Sequence, residues 1–360
     1  KKDLLKQALH KFKPEGFKNY LLKDTLGMND PWYYRNKAQF PLRLVQGKIK
    51  AGLFKENSHD LIPLENCLVQ LPLTQKIANY VVSLMEKYHL SPLNEKKNTG
   101  DFKTLVIRCN EAQTEAQLVV VTRTDSFPFA KEMIAEVTKK FPEIKSFMQN
   151  IQPEKTSLIF GEKTKELWGV KTIEETINHT TFSLSPRAFF QLNPAQTKVL
   201  YAEAKKALEP NKNETLIDAY CGVGTIGLSL APFVKEVRGM DIIPEAIEDA
   251  KENAKRLNLE NTHYFVGKAE QLIPQWTKEN FVADGIIVDP PRSGLDDALL
   301  KTLMTHPVKK LVYVSCNVST LARDLVTLGK KYHVEYLQSV DMFPQTARCE
   351  VVVKMRLKTI

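Results

Sequence analysis

Three short segments combine residues that could do chemistry, and each follows an apolar run. In Ser315-Cys316-Asn317 a thiol stands between Leu311-Val312-Tyr313-Val314 and a helix expected to begin near Ser319. Thiolate is the nucleophilic form and a helix N-terminus favours it, so the Cys316 pKa is expected to fall from its usual ~8.5. A small, buried, inert side chain is the plainer role for a lone cysteine. In Val288-Asp289-Pro290-Pro291-Arg292-Ser293-Gly294-Leu295 the consecutive prolines fix φ and withhold backbone donors. The chain must therefore leave its strand abruptly, with Asp289 at the mouth of whatever lies there. In Asp218-Ala219-Tyr220-Cys221-Gly222-Val223-Gly224-Thr225-Ile226-Gly227, Gly222 and Gly224 allow a tight turn and close approach of a nucleoside-bearing ligand. The next apolar run ends in Gly239-Met240-Asp241, a carboxylate about 20 residues on, where such folds bind ribose hydroxyls. No Lys-Ser/Thr follows the loop, so a triphosphate has no cradle. Gly227 completes a formal GxGxxG, which keeps a dinucleotide open on this loop alone.

Strict alternation of elements after residue 195 positions these segments. Helices are expected at 195–208, 225–231, 244–257, 296–303 and 319–330, and strands at 214–219, 236–240, 262–266, 284–288 and 310–314. Runs such as Gly285-Ile286-Ile287-Val288 suit strands buried on both faces. The pattern is that of a Rossmann-like, doubly wound α/β sheet with its ligands at the carboxyl ends of the strands. Upstream, Leu4, Leu5, Ala8, Leu9 and Phe12 recur at helical spacing before Pro14 and Gly16. Period-2 runs near 40–54, 104–108 and 118–122, with helical runs at 76–90 and 131–141, fit an α+β domain ending near residue 170.

The chain has 360 residues and a net charge of +9, more than one domain's worth at roughly 150 residues per domain. Residues 1–170 hold 27 Lys+Arg against 19 Asp+Glu, and residues 171–360 hold 24 against 23. A basic excess confined to the first half points to a polyanionic partner there, or to a solvated Lys-rich surface. The cysteines, at 67, 109, 221, 316 and 349, form no CxxC pair and suit a reducing, cytoplasmic setting. Neither a membrane-spanning run nor a secretory leader is evident. Because the chain opens on Lys1, a preceding segment is expected to be missing.

The motifs together resemble the S-adenosylmethionine-dependent RNA uracil-5-methyltransferases. The matching residues are Phe189-Phe190-Gln191-Leu192-Asn193, the 218–227 loop, Asp289 to Leu295, Ser315-Cys316-Asn317 and Thr346-Ala347-Arg348-Cys349-Glu350, with Tyr34-Arg35-Asn36-Lys37 and His59-Asp60 upstream. The resemblance implies that Cys316 adds to uracil C6, that C5 then accepts the methyl group, and that Glu350 removes the C5 proton. It implies S-adenosylmethionine held by Gln191, Tyr220, Asp241 and Asp289, beside Asp218, Gly222 and Gly224, and the uridine met by Phe189, Asp289 and Arg292. It divides the chain into a helical segment 1–30 packing on the catalytic domain, an RNA-binding α+β domain 31–170 and a methyltransferase domain 171–360. In one branch of the family a cysteine after a His-Asp segment is the fourth ligand of a [4Fe-4S] cluster. Cys67 resembles that ligand, the others lying before Lys1 along with an oligonucleotide-binding barrel. Because that branch modifies mostly ribosomal RNA, the expected substrate is a uridine of 23S ribosomal RNA, in a stem-loop or single strand, with the enzyme a monomer free of the membrane. Arg348 departs from the family, which has His two residues ahead of the base.

The rivals are a transfer-RNA enzyme of the same family, a cytosine-5 RNA enzyme, a nicotinamide-dependent oxidoreductase and a non-catalytic RNA-binding protein. The cytosine enzymes place a Cys where this chain has Pro291-Arg292. An oxidoreductase leaves Cys316 and Glu350 without work, and a mere binding protein has no need of Cys316, Asp289 and Glu350 together.

Overall fold

Leu5, Ala8 and Leu9 line the buried face of a helix, α1 (Lys2–Phe12), in the computed structural model, which describes residues 1–95 and 97–358. A short strand β1 (Leu21–Leu22) follows. The chain then enters one of two compact units. The central unit comprises Trp32–Thr176 and Ser183–Arg187, and the C-terminal unit takes Lys1–Pro31, Ile177–Phe182 and everything from Ala188 onward. The boundary thus lies at Thr176 rather than 170, and the chain returns briefly to the central unit at 183–187.

In the central unit β2 (Lys37–Val45), β3 (Lys48–Phe54), β4 (Leu61–Pro63), β5 (Phe102–Cys109), β6 (Ala116–Thr122), β7 (Ile144–Ile151) and β8 (Lys163–Gly169) form one sheet in the order β4-β3-β2-β5-β6-β7-β8. Alternation decides its two faces. Phe40, Leu42, Leu105, Ile107, Leu118 and Val120 pack with Ile77 and Val81 of α2 (Pro72–Lys87) and Val137 of α3 (Ala130–Lys140). On the other face Val106, Val119, Val121 and Met148 form a smaller cluster with Ile159 and Phe160. That face ends in a polar row set by register, Lys37 opposite Arg108, Arg108 opposite Gln117 and Gln117 opposite Ser146. A two-stranded ribbon, β9 (Ile173–Ile177) and β10 (Thr180–Leu184), comes next.

The C-terminal unit then runs α4 (Pro194–Leu208), β11 (Thr215–Ala219), α5 (Thr225–Leu230), β12 (Glu236–Asp241), α6 (Pro244–Arg256), β13 (Thr262–Val266), α7 (Ala269–Lys278), β14 (Gly285–Val288), α8 (Asp297–Thr305), β15 (Lys310–Ser315), α9 (Val318–Leu328), β16 (Tyr332–Val340) and β17 (Glu350–Leu357). Among the described residues its sheet has the order β1-β16-β17-β15-β14-β11-β12-β13. This is a Rossmann-like α/β fold, with two departures from the expected alternation. β17 runs antiparallel to both β15 and β16, so the sheet is mixed. Helix α7 fills the gap between two strands expected in succession; it tolerates Pro274 because Ile273 and Trp276 bury one face. Leu5, Ala8 and Leu9 of α1 share a core with Leu321, Leu325 and Leu328 of α9.

Counted by these units, the charge asymmetry shrinks. The central unit holds 22 Lys+Arg against 17 Asp+Glu and the C-terminal unit 29 against 25, because residues 1–31, with 7 against 4, belong to the latter. Net charge therefore does not single out one unit. Among the described residues no helix is long and apolar enough to cross a membrane.

Candidate active site

Register brings five strand ends together along one edge of the C-terminal sheet. Ala219 pairs with Met240 on one side and Val288 on the other, so Tyr220 lies between Asp241 and Asp289. Val288 pairs with Tyr313, which sets Asp289 beside the end of β15 and hence near Cys316. Ser315 pairs with Val351 of the antiparallel β17, so Glu350, the first residue of that strand, stands beside Cys316. The reversed direction of β17 is what delivers Glu350 to the rim, since a parallel strand would have put its amino end at the opposite edge. Asp218, Tyr220, Gly222, Gly224, Asp241, Asp289, Arg292, Cys316 and Glu350 thus occupy one rim.

The glycine loop is pinned to two of the acids. Gly222 N–H donates to Asp241 Oδ2 at 3.1 Å, Ile243 N–H donates to Asp241 Oδ1 at 3.0 Å and Gly227 N–H donates to Asp218 Oδ2 at 2.8 Å. Gly224 has φ +80°, and a Cβ there would come within 2.8 Å of the Tyr264 hydroxyl oxygen. Only glycine fits. Tyr220 also adopts a left-handed backbone, φ 63°, at a cost of about 1–2 kcal/mol for a residue with a Cβ. That turn carries the chain out of β11 over the rim.

Acidic groups crowd this rim with little to neutralise them. Glu350 is 3% exposed, and its Oε2 has no hydrogen-bond partner. Burial and then the Asp289 charge push its pKa up to about 8, with Arg292 opposing. Burial lifts Asp289 to about 7. Asp218 also rises to about 7, through burial against the Gly227 hydrogen bond, with Asp289 and Asp241 adding to the rise. The Cys316 thiol moves opposite to the sequence expectation. Burial first, then Glu350 and Asp289, raise its pKa to about 11, and Arg292 only partly offsets them. The α9 N-terminus cannot reverse this, because Asn317 already caps it, its Oδ1 accepting Ser319 N–H at 3.0 Å.

Two residues central to this environment escaped the sequence reading. Tyr201 of α4 is buried, its hydroxyl 2.8 Å from Thr225 Oγ1, and its pKa is raised by burial and by Asp289, Asp218 and Glu350. In sequence it is simply one more apolar position of an amphipathic helix. Asp324 of α9 is fully buried and holds the Asp289–Leu295 loop; the Arg-Asp pair at 323–324 was its only trace. Phe189 and Gln191 precede α4 and lie outside the strand register. Phe189 is 69% exposed, whereas Phe190 is buried with its ring 5.9 Å from that of Phe182. Gln191 is buried two residues before Asn193, the α4 cap.

Residues 170–358 match the family described as tRNA (Uracil-5-)-methyltransferase. An uncharacterized RNA methyltransferase of Enterococcus faecalis is 58% identical over 358 residues, covering 99% of this chain and 78% of that protein. One from Streptococcus agalactiae is 54% identical, with 99% and 79% covered. The chain belongs to the S-adenosylmethionine-dependent RNA uracil-5-methyltransferases. A solved structure, the Pyrococcus abyssi tRNA (uracil-54, C5)-methyltransferase in complex with S-adenosyl-L-homocysteine, is similar with a TM-score of 0.76 at 26% identity, covering 98% of this chain and 83% of that one.

The rim of this RNA uracil-5-methyltransferase fits its methyl donor. A Cβ at Gly222 would meet nothing within 4 Å, so the loop faces open space, and the buried Asp218 Oδ1 has no partner. Asp241 keeps lone pairs beyond its two backbone donors for a ribose diol. An iron–sulfur cluster has no such support. Among the described residues no group of three or more His, Cys, Asp or Glu side chains could hold a metal ion. Cys67, half-buried between β4 and α2, stands as a single thiol, and no step is assigned to a cluster.

Proposed function

We propose that this chain, acting as a monomer, methylates C5 of a uridine in 23S ribosomal RNA through a covalent bond between Cys316 Sγ and uracil C6. The observation that carries the reading is the placement of a thiol and an unpartnered buried carboxyl on adjacent strand ends, Cys316 after β15 and Glu350 at the start of β17. S-adenosylmethionine supplies an electrophilic methyl group. Addition of the Cys316 thiolate to C6 moves the C5–C6 electron pair toward O4, and C5 then bonds to the methyl carbon as the methyl–sulfur bond of the sulfonium breaks and S-adenosylhomocysteine leaves. The Glu350 carboxylate takes the C5 proton, and the C6–S bond breaks to restore C5–C6 and the thiolate. Asp241 holds the ribose of the donor, Gln191 and Tyr220 complete its site, and Asp289 lies where it meets donor or base. Exposed Phe189 offers a stacking surface for an extruded uridine. Arg292 supplies the positive charge that favours both the thiolate and the carboxylate.

The central unit holds the RNA backbone. Lys37, 8% exposed, faces Arg108 across β2 and β5 with Arg35 nearby, and burial and these cations push its pKa down to about 6. A phosphate beside the amine would favour its protonated form. The resemblance of Cys67 to a ligand of the cluster-bearing branch is what favours a ribosomal substrate, whereas the names of the matched family and of the Pyrococcus structure favour transfer RNA. Incubation with 5-fluorouridine-substituted ribosomal or transfer RNA and S-adenosylmethionine tests both. A denaturation-resistant adduct is expected with ribosomal RNA and none with Cys316→Ala; an adduct with transfer RNA alone moves the substrate, and an undiminished adduct in the variant removes the nucleophile.

A further inference from the structure

The loop Asp289–Leu295 makes little structure of its own beyond a Gly294 N–H to Pro291 carbonyl turn of 2.9 Å. Four further backbone groups, the carbonyls of Arg292, Ser293 and Leu295 and the Leu295 N–H, are taken by one face of α9 and its cap, the segment that directly follows Cys316. Asn317 Nδ2 donates to the Arg292 carbonyl at 3.0 Å, and Thr320 Oγ1 donates to the same oxygen at 3.2 Å. An Arg323 guanidinium nitrogen donates to the Ser293 carbonyl at 2.8 Å and to the Leu295 carbonyl at 3.1 Å. Asp324 Oδ2 accepts Leu295 N–H at 2.8 Å and the Tyr313 hydroxyl at 2.7 Å, while its Oδ1 pairs with Arg323 at 2.7 Å. Gly294 has φ +77°, and a Cβ there would lie 2.6 Å from Asp324 Oδ2, so the loop closes on the carboxylate only with glycine.

We propose that Asp324 and Arg323 are positioning residues for methyl transfer, holding Arg292 so that its guanidinium faces Cys316 and Glu350. This deepens the reading above and rests on it. Arg292 itself is exposed, and a long side chain on a free loop would spread its charge over many rotamers. Tying the carbonyls of residues 292, 293 and 295 to the helix that starts beside the thiol fixes the two loops to one another. The hydrogen bonds spaced along Asn317, Thr320 and Asp324 lie on one side of the helix, so the clamp forms only when α9 is in register. Asp324, fully buried, is matched by a tyrosine hydroxyl, a backbone N–H and a guanidinium. A satisfied buried charge of this kind specifies a single geometry.

The test is carried by Arg323→Gln, with Arg323→Lys as the conservative variant and Asp324→Asn as the more disruptive one. Thiol alkylation across a pH series, read by mass spectrometry on the Cys316 peptide, needs no RNA and reports the Cys316 environment. Loss of the clamp releases Arg292, so Cys316 alkylation at fixed pH should slow about 3-fold to 10-fold, and kcat should fall about 10-fold to 100-fold. KM for S-adenosylmethionine should hold, and Arg323→Lys should recover part of both losses. A drop in melting temperature with Cys316 alkylation and kcat unchanged would overturn the proposal. Should Asp324→Asn fail to fold, Arg323→Gln decides alone. Failure of the proposed function shows differently, as absence of the wild-type RNA adduct.

Discussion

The C-terminal rim gathers buried acids, whereas the central unit buries groups of both signs. Along the C-terminal rim Asp218, Asp289 and Glu350 are all pushed toward their protonated forms, with exposed Arg292 the cation that opposes this at Glu350 and Cys316. In the central unit the buried amine of Lys37 is pushed toward its neutral form beside Arg108 and Arg35. The buried acid of that unit, Glu175, does not neutralise Lys37; its carboxylate accepts N–H groups of Glu111 and Thr176 and the Asn36 amide. The rim is thus short of a cation, and the sulfonium of S-adenosylmethionine carries one. The sign of unneutralised buried groups tells more about a ligand than total charge does, which here is similar in the two units.

The sharpest way to break this comparison is to remove the acid assigned to chemistry. Glu350→Gln keeps the shape and loses the base, so methyl transfer turnover should fall about 10²-fold to 10⁴-fold. Unmodified uridine RNA should then accumulate as a covalent adduct on Cys316, visible on a denaturing gel. Full turnover in this variant would leave the acidic rim without a catalytic purpose.

Cofactor affinity across pH gives a smaller effect with a definite sign. A carboxyl whose folded pKa is raised favours the folded state below its ordinary pKa, and that contribution is lost as pH climbs through the folded value. For Asp218, Asp289 and Glu350 the window runs from the usual carboxylate range up to about 7 or about 8. The ligand-free protein should therefore lose stability over that window. S-adenosylmethionine, as a sulfonium, should bind better as these groups ionise, about 10-fold between about pH 6 and about pH 8. S-adenosylhomocysteine lacks that charge and should change less. Calorimetric titration of both ligands checks this; parallel pH profiles would remove the sulfonium from the argument.

Much of the rim was legible in the sequence because strand ends are marked locally. Asp241, Asp289 and Cys316 each close an apolar run, and a parallel sheet brings such ends to one edge whatever the intervening helices do. Glu350 was legible only through resemblance, since its place depends on β17 running antiparallel and sliding between β15 and β16. Nothing local announces that insertion. The Cys316 pKa was misjudged for a related reason. A helix N-terminus can be read from adjacent residues, but burial and the charges of Glu350 and Asp289 come from segments distant in sequence. Asp324 was missed because, within an amphipathic helix, a buried polar side chain looks like an interruption of the apolar stripe, and Tyr201 because its ring looks like one more apolar position of that stripe. The charge split misled because residues 1–31 fold with the C-terminal unit.

The mildest test addresses the basic side. Lys37→Met keeps the length of a side chain that is 8% exposed and removes an amine crowded by two guanidinium groups. The folded Lys37 pKa is depressed, so its contribution to stability is present above the ordinary lysine value and lost as pH falls through about 6. Replacing it should raise the melting temperature near about pH 6, by a margin that shrinks at higher pH. RNA affinity should move the other way, with the salt dependence shallower by about 0.7–0.9 in log–log slope for one lost phosphate contact. Opposite signs for stability and binding are what a group retained for a ligand shows. If Met lowers both together, Lys37 belongs to the packing of the β2–β5 face and the RNA is held elsewhere.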